Sequence, residues 1–173
     1  MKLIKFAYEK IKGKPAPYYF NYSILQIISK PIRKWVAQVI APNCVFNNIR
    51  ILLYRLCGFK IGKHTFIGMR CYLDDLCYDQ LIIGNNVTIS YGVYFACHGK
   101  NQGHYPIVID DGAYIGMRAS IISKNRNGTG NGVHIGKKSI VGSCSLVNLD
   151  VPDRTTAVGV PCRLIYSLGE THE

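Results

Sequence analysis

The 173-residue sequence has no run approaching the roughly 20 apolar residues that a membrane-spanning helix needs. None of its seven cysteines (Cys44, Cys57, Cys71, Cys77, Cys97, Cys144, Cys162) forms a Cys-x-x-Cys pair, and the odd count suits neither a disulfide framework nor a zinc finger. A reducing compartment is therefore expected. No recognisable nucleic-acid module is present, so no nucleic-acid partner is expected. The opening stretch, MKLIKFAYEKIKGK, is broken by charge too often for a secretory signal, which makes a cytoplasmic location the expectation. Acidic residues are almost missing from the first sixty positions, where eleven Lys/Arg face Glu9 alone. That segment carries +10 of the formal +11, and the remainder is nearly balanced at +1. The basic character belongs to the N-terminal segment. A composition of 48% hydrophobic and 18% charged residues excludes a disordered chain.

From residue 61 the chain counts in sixes. IGKHTF and IGMRCY are followed, after a gap, by IGNNVT, ISYGVY and FACHGK, then by IDDGAY, IGMRAS, IISKNR, IGKKSI, VGSCSL and VNLDVP. The first position is almost always Ile, Val or Phe and the second is often Gly. The fifth is small: Thr65, Cys71, Val87, Val93, Ala113, Ala119, Ser139 and Ser145. Neither helical periodicity nor two-residue alternation describes this pattern. A period of six fits a solenoid whose coils are three short strands joined by tight corners, one aliphatic side chain per strand pointing inward. Glycine at position two is expected to supply backbone conformations that a Cβ disfavours.

These hexads resemble the bacterial hexapeptide-repeat acyltransferases. The tail VNLDVPDRTTAVGVPCRLI (Val147–Ile165) is similar to that of galactoside and maltose O-acetyltransferases, and the likeness covers residues 59–166. The resemblance implies an all-β fold, a left-handed parallel β-helix (residues 57–166), preceded here by a basic, mainly helical extension (1–56) and followed by a short tail (167–173). It also implies a homotrimer with active sites between subunits, acetyl-CoA as co-substrate, no metal, and a sugar or glycan acceptor in surface-polysaccharide biosynthesis.

The count stops at Phe95-Ala96-Cys97-His98, where a loop intervenes before Ile107. An imidazole, with a pKa of roughly 6.5, is suited to taking a hydroxyl proton at neutral pH. In the family, the histidine that precedes such a loop is the general base, which points to His98. The backbone N–H of Met117 falls where an oxyanion donor is expected. Asp74 and Asp75 fall where relatives place an acidic pair near the acceptor; they would bind sugar hydroxyls, orient the histidine, or form an acidic turn. His104 and Asn101 in the loop are further candidates for acceptor contact. For the CoA end the resemblance points to Gly142, Ser143, Asn148 and Arg163, with Asn148-Leu149 standing where relatives often carry Thr-Lys. Cys97 lies next to His98 but should face the opposite side of its strand. It is therefore not expected to act as a nucleophile.

Other readings use the same frame. The acceptor could be an amino sugar acetylated on nitrogen. His64, His98 and His104 would be the ligands of a γ-type zinc carbonic anhydrase, and a silent scaffold would keep the coil without chemistry. In the extension, Ser23–Ile40 has helical spacing interrupted at Pro31. The basic segment, with Tyr18, Tyr19, Phe20 and Trp35, either lies peripherally on an anionic membrane surface or packs in the trimer with its lysines solvated.

Overall fold

The side chains at the first position of the hexads build the core. Ile67, Ile83, Ile89, Phe95, Ile109, Ile115, Ile121, Ile135, Val141 and Val147 are all buried. In this computed structural model, which describes residues 2–15, 24–98, 103–123 and 132–165, they stack in three columns inside a parallel β-helix. The fifth-position residues named above are buried as well.

Three parallel sheets enclose that core. The first contains β1 (Lys60–Ile61), β3 (Leu81–Ile83), β6 (Ile107–Ile109) and β9 (Val133–Ile135). The second contains β2 (Phe66–Ile67), β4 (Thr88–Ile89), β7 (Tyr114–Ile115), β10 (Ile140–Val141) and β12 (Thr156–Gly159), closed by the antiparallel β13 (Cys162–Ile165). The third contains β5 (Tyr94–Ala96), β8 (Ser120–Ile122) and β11 (Leu146–Val147), with Tyr72 bridging to Tyr94 in the coil before. Each coil visits the sheets in that order, so the prism has three edges. The second edge joins the second sheet to the third. The third edge leads from the third sheet back to the first, and each interruption of the regular coil opens on it, after Leu73, His98 and Ser123.

Glycine at position two has a different cause from the one expected. A Cβ on Gly62 would lie 2.4 Å from the carbonyl carbon of Gly84, and one on Gly116 would lie 2.5 Å from Ser143 N. Coil-to-coil approach, not a special backbone angle, excludes a side chain there. The left-handed conformation occurs instead at position four, at His64, Arg70, Asn86, Arg118, Lys138, Cys144 and Arg154, with φ from 53° to 57°. Long side chains accept this less favourable region because each corner must turn within one residue.

The chain divides into two units, residues 1–35 and 36–173. The first holds α1 (Lys2–Lys12) and α2 (Ile24–Trp35). Helix α2 continues through Pro31, where the sequence suggested a break. The missing N–H leaves one carbonyl of the preceding turn without its donor, and the helix goes on. The second unit begins with a π-helical turn (Val36–Ile40), α3 (Ala41–Asn43) and α4 (Asn47–Leu56). These residues precede the first hexad yet share its core: Ala37, Ala41, Ile51, Tyr54 and Cys57 are buried with the coil side chains, and Tyr54 meets Phe59 edge-on at 5.6 Å.

The join rests on Arg50, which is 1% exposed. Its Nε donates to Ile67 O at 2.6 Å, and its other nitrogens reach Cys44 O, Val45 O and the side chain of Asn47. Its guanidinium also lies 5.8 Å from the centre of the Phe66 ring. A buried cation satisfied by carbonyl oxygens thus ties α4 to the first coil.

Candidate active site

The third edge gathers the chemistry. Asp74 leaves the first coil and His98 the second, 24 residues later in sequence but one coil away in space. Asp74 is completely buried. Its Oδ2 accepts the backbone N–H groups of Cys97 at 2.7 Å and His98 at 3.1 Å and lies 2.5 Å from His98 Nδ1, while Oδ1 accepts Leu76 N–H at 3.0 Å. The arrangement is satisfied when Nδ1 donates to the carboxylate, which leaves the lone pair on Nε2. The His98 side chain is 35% exposed, so that lone pair can meet a substrate while the ring is held from below.

This geometry revises the reading of the acidic pair. Asp74, expected among the acceptor contacts, has no surface to offer a sugar; it orients the histidine. Asp75 is 9% exposed and accepts a hydrogen bond from Tyr72 Oη at 3.1 Å. The Tyr72 ring stacks on Tyr94 at 4.5 Å, and burial followed by the Asp75 charge raises its phenol well above the ordinary value. That tyrosine pair, outward on the third sheet beside the edge, was not singled out from sequence. Its signal was there: Tyr72 and Tyr94 end the corresponding hexads of successive coils.

Cys97 is fully buried, and its thiol is pushed far up by burial and then by the Asp74 charge. A buried thiol held neutral is poorly suited to nucleophilic attack. His104 is exposed and pairs with His98 as an antiparallel bridge at the foot of the loop, and Tyr105 N–H closes that foot on Cys97 O at 2.8 Å. His104 therefore stands beside His98 in the backbone pairing. Asn101 lies outside the described residues. His64 occupies another coil, lining a pocket of about 240 Å³ with Asn48, Ile51, Arg55, Gly62 and Thr65.

The remaining candidates are not brought to His98 within one chain. Met117 lies on the second edge and is 48% exposed; its carbonyl accepts the N–H of Cys144 at 2.8 Å. Gly142 and Ser143 lie on the same edge one coil later. Arg163 is exposed on β13 of the second sheet. Asn148 alone shares the third edge with His98, two coils on, and its Oδ1 is buried without a partner, as is Ser123 Oγ on the same edge. A second histidine–carboxylate pair, His134 Nε2 and Asp110 Oδ2 at 2.9 Å, is separate from this cluster, on the first sheet.

Comparisons with known proteins agree with the coil and its contents. No family model matches the chain. It is 33% identical to the serine acetyltransferase of Bacillus licheniformis over 65% of its own length and 48% of that protein. It is 28% identical to the galactoside O-acetyltransferase of Escherichia coli, covering 94% of this chain and 80% of that one. A hexapeptide-repeat acetyltransferase from Vibrio cholerae, solved in complex with acetyl-CoA, superposes with a TM-score of 0.65 at 25% identity, covering 86% of this chain and 92% of the other. The relatives that this chain matches include hexapeptide-repeat acetyltransferases. The chain spans about half the length of the serine acetyltransferases it matches.

Proposed function

We propose that the protein transfers an acetyl group from acetyl-CoA to a sugar hydroxyl in surface-polysaccharide assembly, with His98 as general base. The observation that carries this reading is the buried Asp74 carboxylate under His98 Nδ1 at 2.5 Å, on the edge where the loops collect. His98 Nε2 takes the hydroxyl proton as the oxygen attacks the thioester carbonyl. The tetrahedral intermediate collapses, the carbon–sulfur bond breaks, and the departing thiolate receives the proton back from the imidazolium, whose charge Asp74 balances. Tyr72, Tyr94 and Asp75 flank the place where the acceptor would lie.

The oxyanion and the CoA arm require the second edge. Met117, Gly142 and Ser143 lie there, away from His98, so each active site would form between copies, the third edge of one protomer against the second edge of the next. The outward row of the second sheet supports a subunit contact, since Phe66, Tyr114 and Ile140 are 46%, 44% and 46% exposed in register across the strands. A trimer about an axis that lies outside each prism and runs parallel to it satisfies both requirements. Arg163, a permanent cation with a fork of donors, would meet the CoA phosphates.

A second acceptor, the hydroxyl of serine, is favoured by the serine acetyltransferases among the relatives. Thiol release from acetyl-CoA in the presence of oligosaccharides, nucleotide sugars, amino sugars or L-serine separates the readings. Turnover with a sugar alcohol group supports the first, turnover confined to L-serine replaces it with the second, and no thiol release with any acceptor contradicts both.

A further inference from the structure

Helix α4 faces the wrong way for a helix with water on its outer side. One of its two arginines, Arg50, is buried, while three of its aliphatic side chains point out: Ile49 is 49% exposed, Leu52 55% and Leu56 74%. Val45 and Phe46, just before the helix, are 73% and 69% exposed. At 100° per residue, positions 49, 52 and 56 fall on one stripe along the outer face. An amphipathic helix normally turns this stripe to the core. Here the core takes Ile51 and Tyr54, and a second apolar face is left over.

The sequence on either side of the stripe carries charge of one sign. From Lys10 to Leu73 the sequence has eleven Lys/Arg and no Asp or Glu. Within the second unit, Arg55, Lys60, Lys63 and Arg70 are exposed on α4 and on the coil that packs against it. Arg55 directs its guanidinium to the carbonyls of Ile61 and Gly62, neutral acceptors that leave its charge uncancelled. In the first unit, Phe6, Ile11, Ile32 and Trp35 are exposed on helices whose last turns are basic. No helix among the described residues is long and apolar enough to cross a membrane. Large apolar side chains on one helix face, in a stretch of sequence that has cations and no carboxylate, are the chemistry of a helix lying in the plane of an anionic bilayer.

We propose that the outer face of α4, carrying Ile49, Leu52 and Leu56, together with Val45 and Phe46 just before it, docks on an anionic membrane surface, with Arg55, Lys60, Lys63 and Arg70 against the headgroups. The helix sits at the first coil, so a parallel trimer would present three such faces at one end of the solenoid. The inference does not depend on the acetyl-transfer reading. An acidic protein or a second copy of the chain are the competing occupants, and the test separates them.

The full chain is floated with vesicles of phosphatidylglycerol and phosphatidylethanolamine, and with vesicles of phosphatidylcholine alone. Binding is expected to the anionic vesicles, falling as salt rises within the range set by the Debye length. The double variant Leu52→Gln/Leu56→Gln, made at exposed positions, should weaken binding by about tenfold or more. Its melting temperature and acetyl-CoA affinity should be unchanged. Absence of vesicle binding, or binding indifferent to the double substitution, overturns the proposal. So does a wild-type particle larger than a trimer by light scattering that the double substitution reduces to a trimer, since the stripe is then a contact between copies.

Discussion

Replacing Asp74 by asparagine removes the charge beneath His98 while keeping the side chain's shape. Oδ2 gathers three donors and Oδ1 a fourth, from Leu76. An asparagine oxygen at the Oδ2 position keeps the first three but turns its own NH2 toward Leu76 N–H; the opposite flip sets a donor against three donors. Either way a buried N–H loses its partner, a loss of about 1–3 kcal/mol in folding stability. Under the proposed mechanism, the imidazolium formed during the attack also loses its counter-charge. A charge-assisted hydrogen bond exceeds a neutral one by about 1–2 kcal/mol, which corresponds to a fall in kcat of roughly 5- to 30-fold. Acetyl-CoA affinity should not change, because Asp74 has no exposed surface. Steady-state thiol release and calorimetric titration measure the two quantities, and the downfield proton resonance of His98 Nδ1 should be lost. Wild-type kcat in this variant, or a changed acetyl-CoA affinity with kcat intact, refutes the assignment of Asp74 as the group that positions His98.

Three further outcomes follow from the packing. Gly116→Ala would set a Cβ 2.5 Å from Ser143 N and should cost about 1–3 kcal/mol in urea denaturation; an unchanged midpoint would show that the coils do not approach as described. Arg50→Met leaves the carbonyls of Ile67 and Cys44 without their donor and should destabilise the chain by about 2–4 kcal/mol, against less than 1 kcal/mol if the arginine is incidental. Burial, reinforced by the Asp74 charge, raises the thiols of Cys97 and Cys77, the latter up to about 11. Folding therefore favours the neutral thiols. Their contribution is complete below the ordinary thiol pKa of about 8.5 and is lost as pH climbs toward the folded values. The stability gap between wild type and Cys77→Ala/Cys97→Ala should accordingly shift against the wild type above about pH 9, and a constant gap up to pH 10.5 would contradict it.

The hexads made the coil legible because two of every six positions meet a hard constraint: an inward aliphatic and a small corner residue. Once three strands per coil are assumed, the same count puts Asp74 and His98 on one edge. What the count could not supply was the choice among roles for Asp74, since a hydrogen bond across 24 residues depends on how neighbouring coils are seated. The role of Gly62 and Gly116 was misread for a related reason: the close approach comes from the next coil, which a single hexad does not contain. Arg50 was hidden because arginine is ordinarily an exposed residue, and nothing in NNIRILLYRL marks which polar side chain turns inward. Pro31 was read as a break because its local cost is visible in sequence while the turns that carry the helix past it are not.

The central claim is acetyl transfer from acetyl-CoA by a base at His98. It is tested most directly by comparing wild type and His98→Ala for acetyl-CoA binding and for thiol release with the best acceptor found. The account predicts saturable binding of similar affinity in both and a turnover lower by roughly two to four orders of magnitude in the variant. Equal turnover in the two proteins, or no acetyl-CoA binding by the folded wild type, would contradict it.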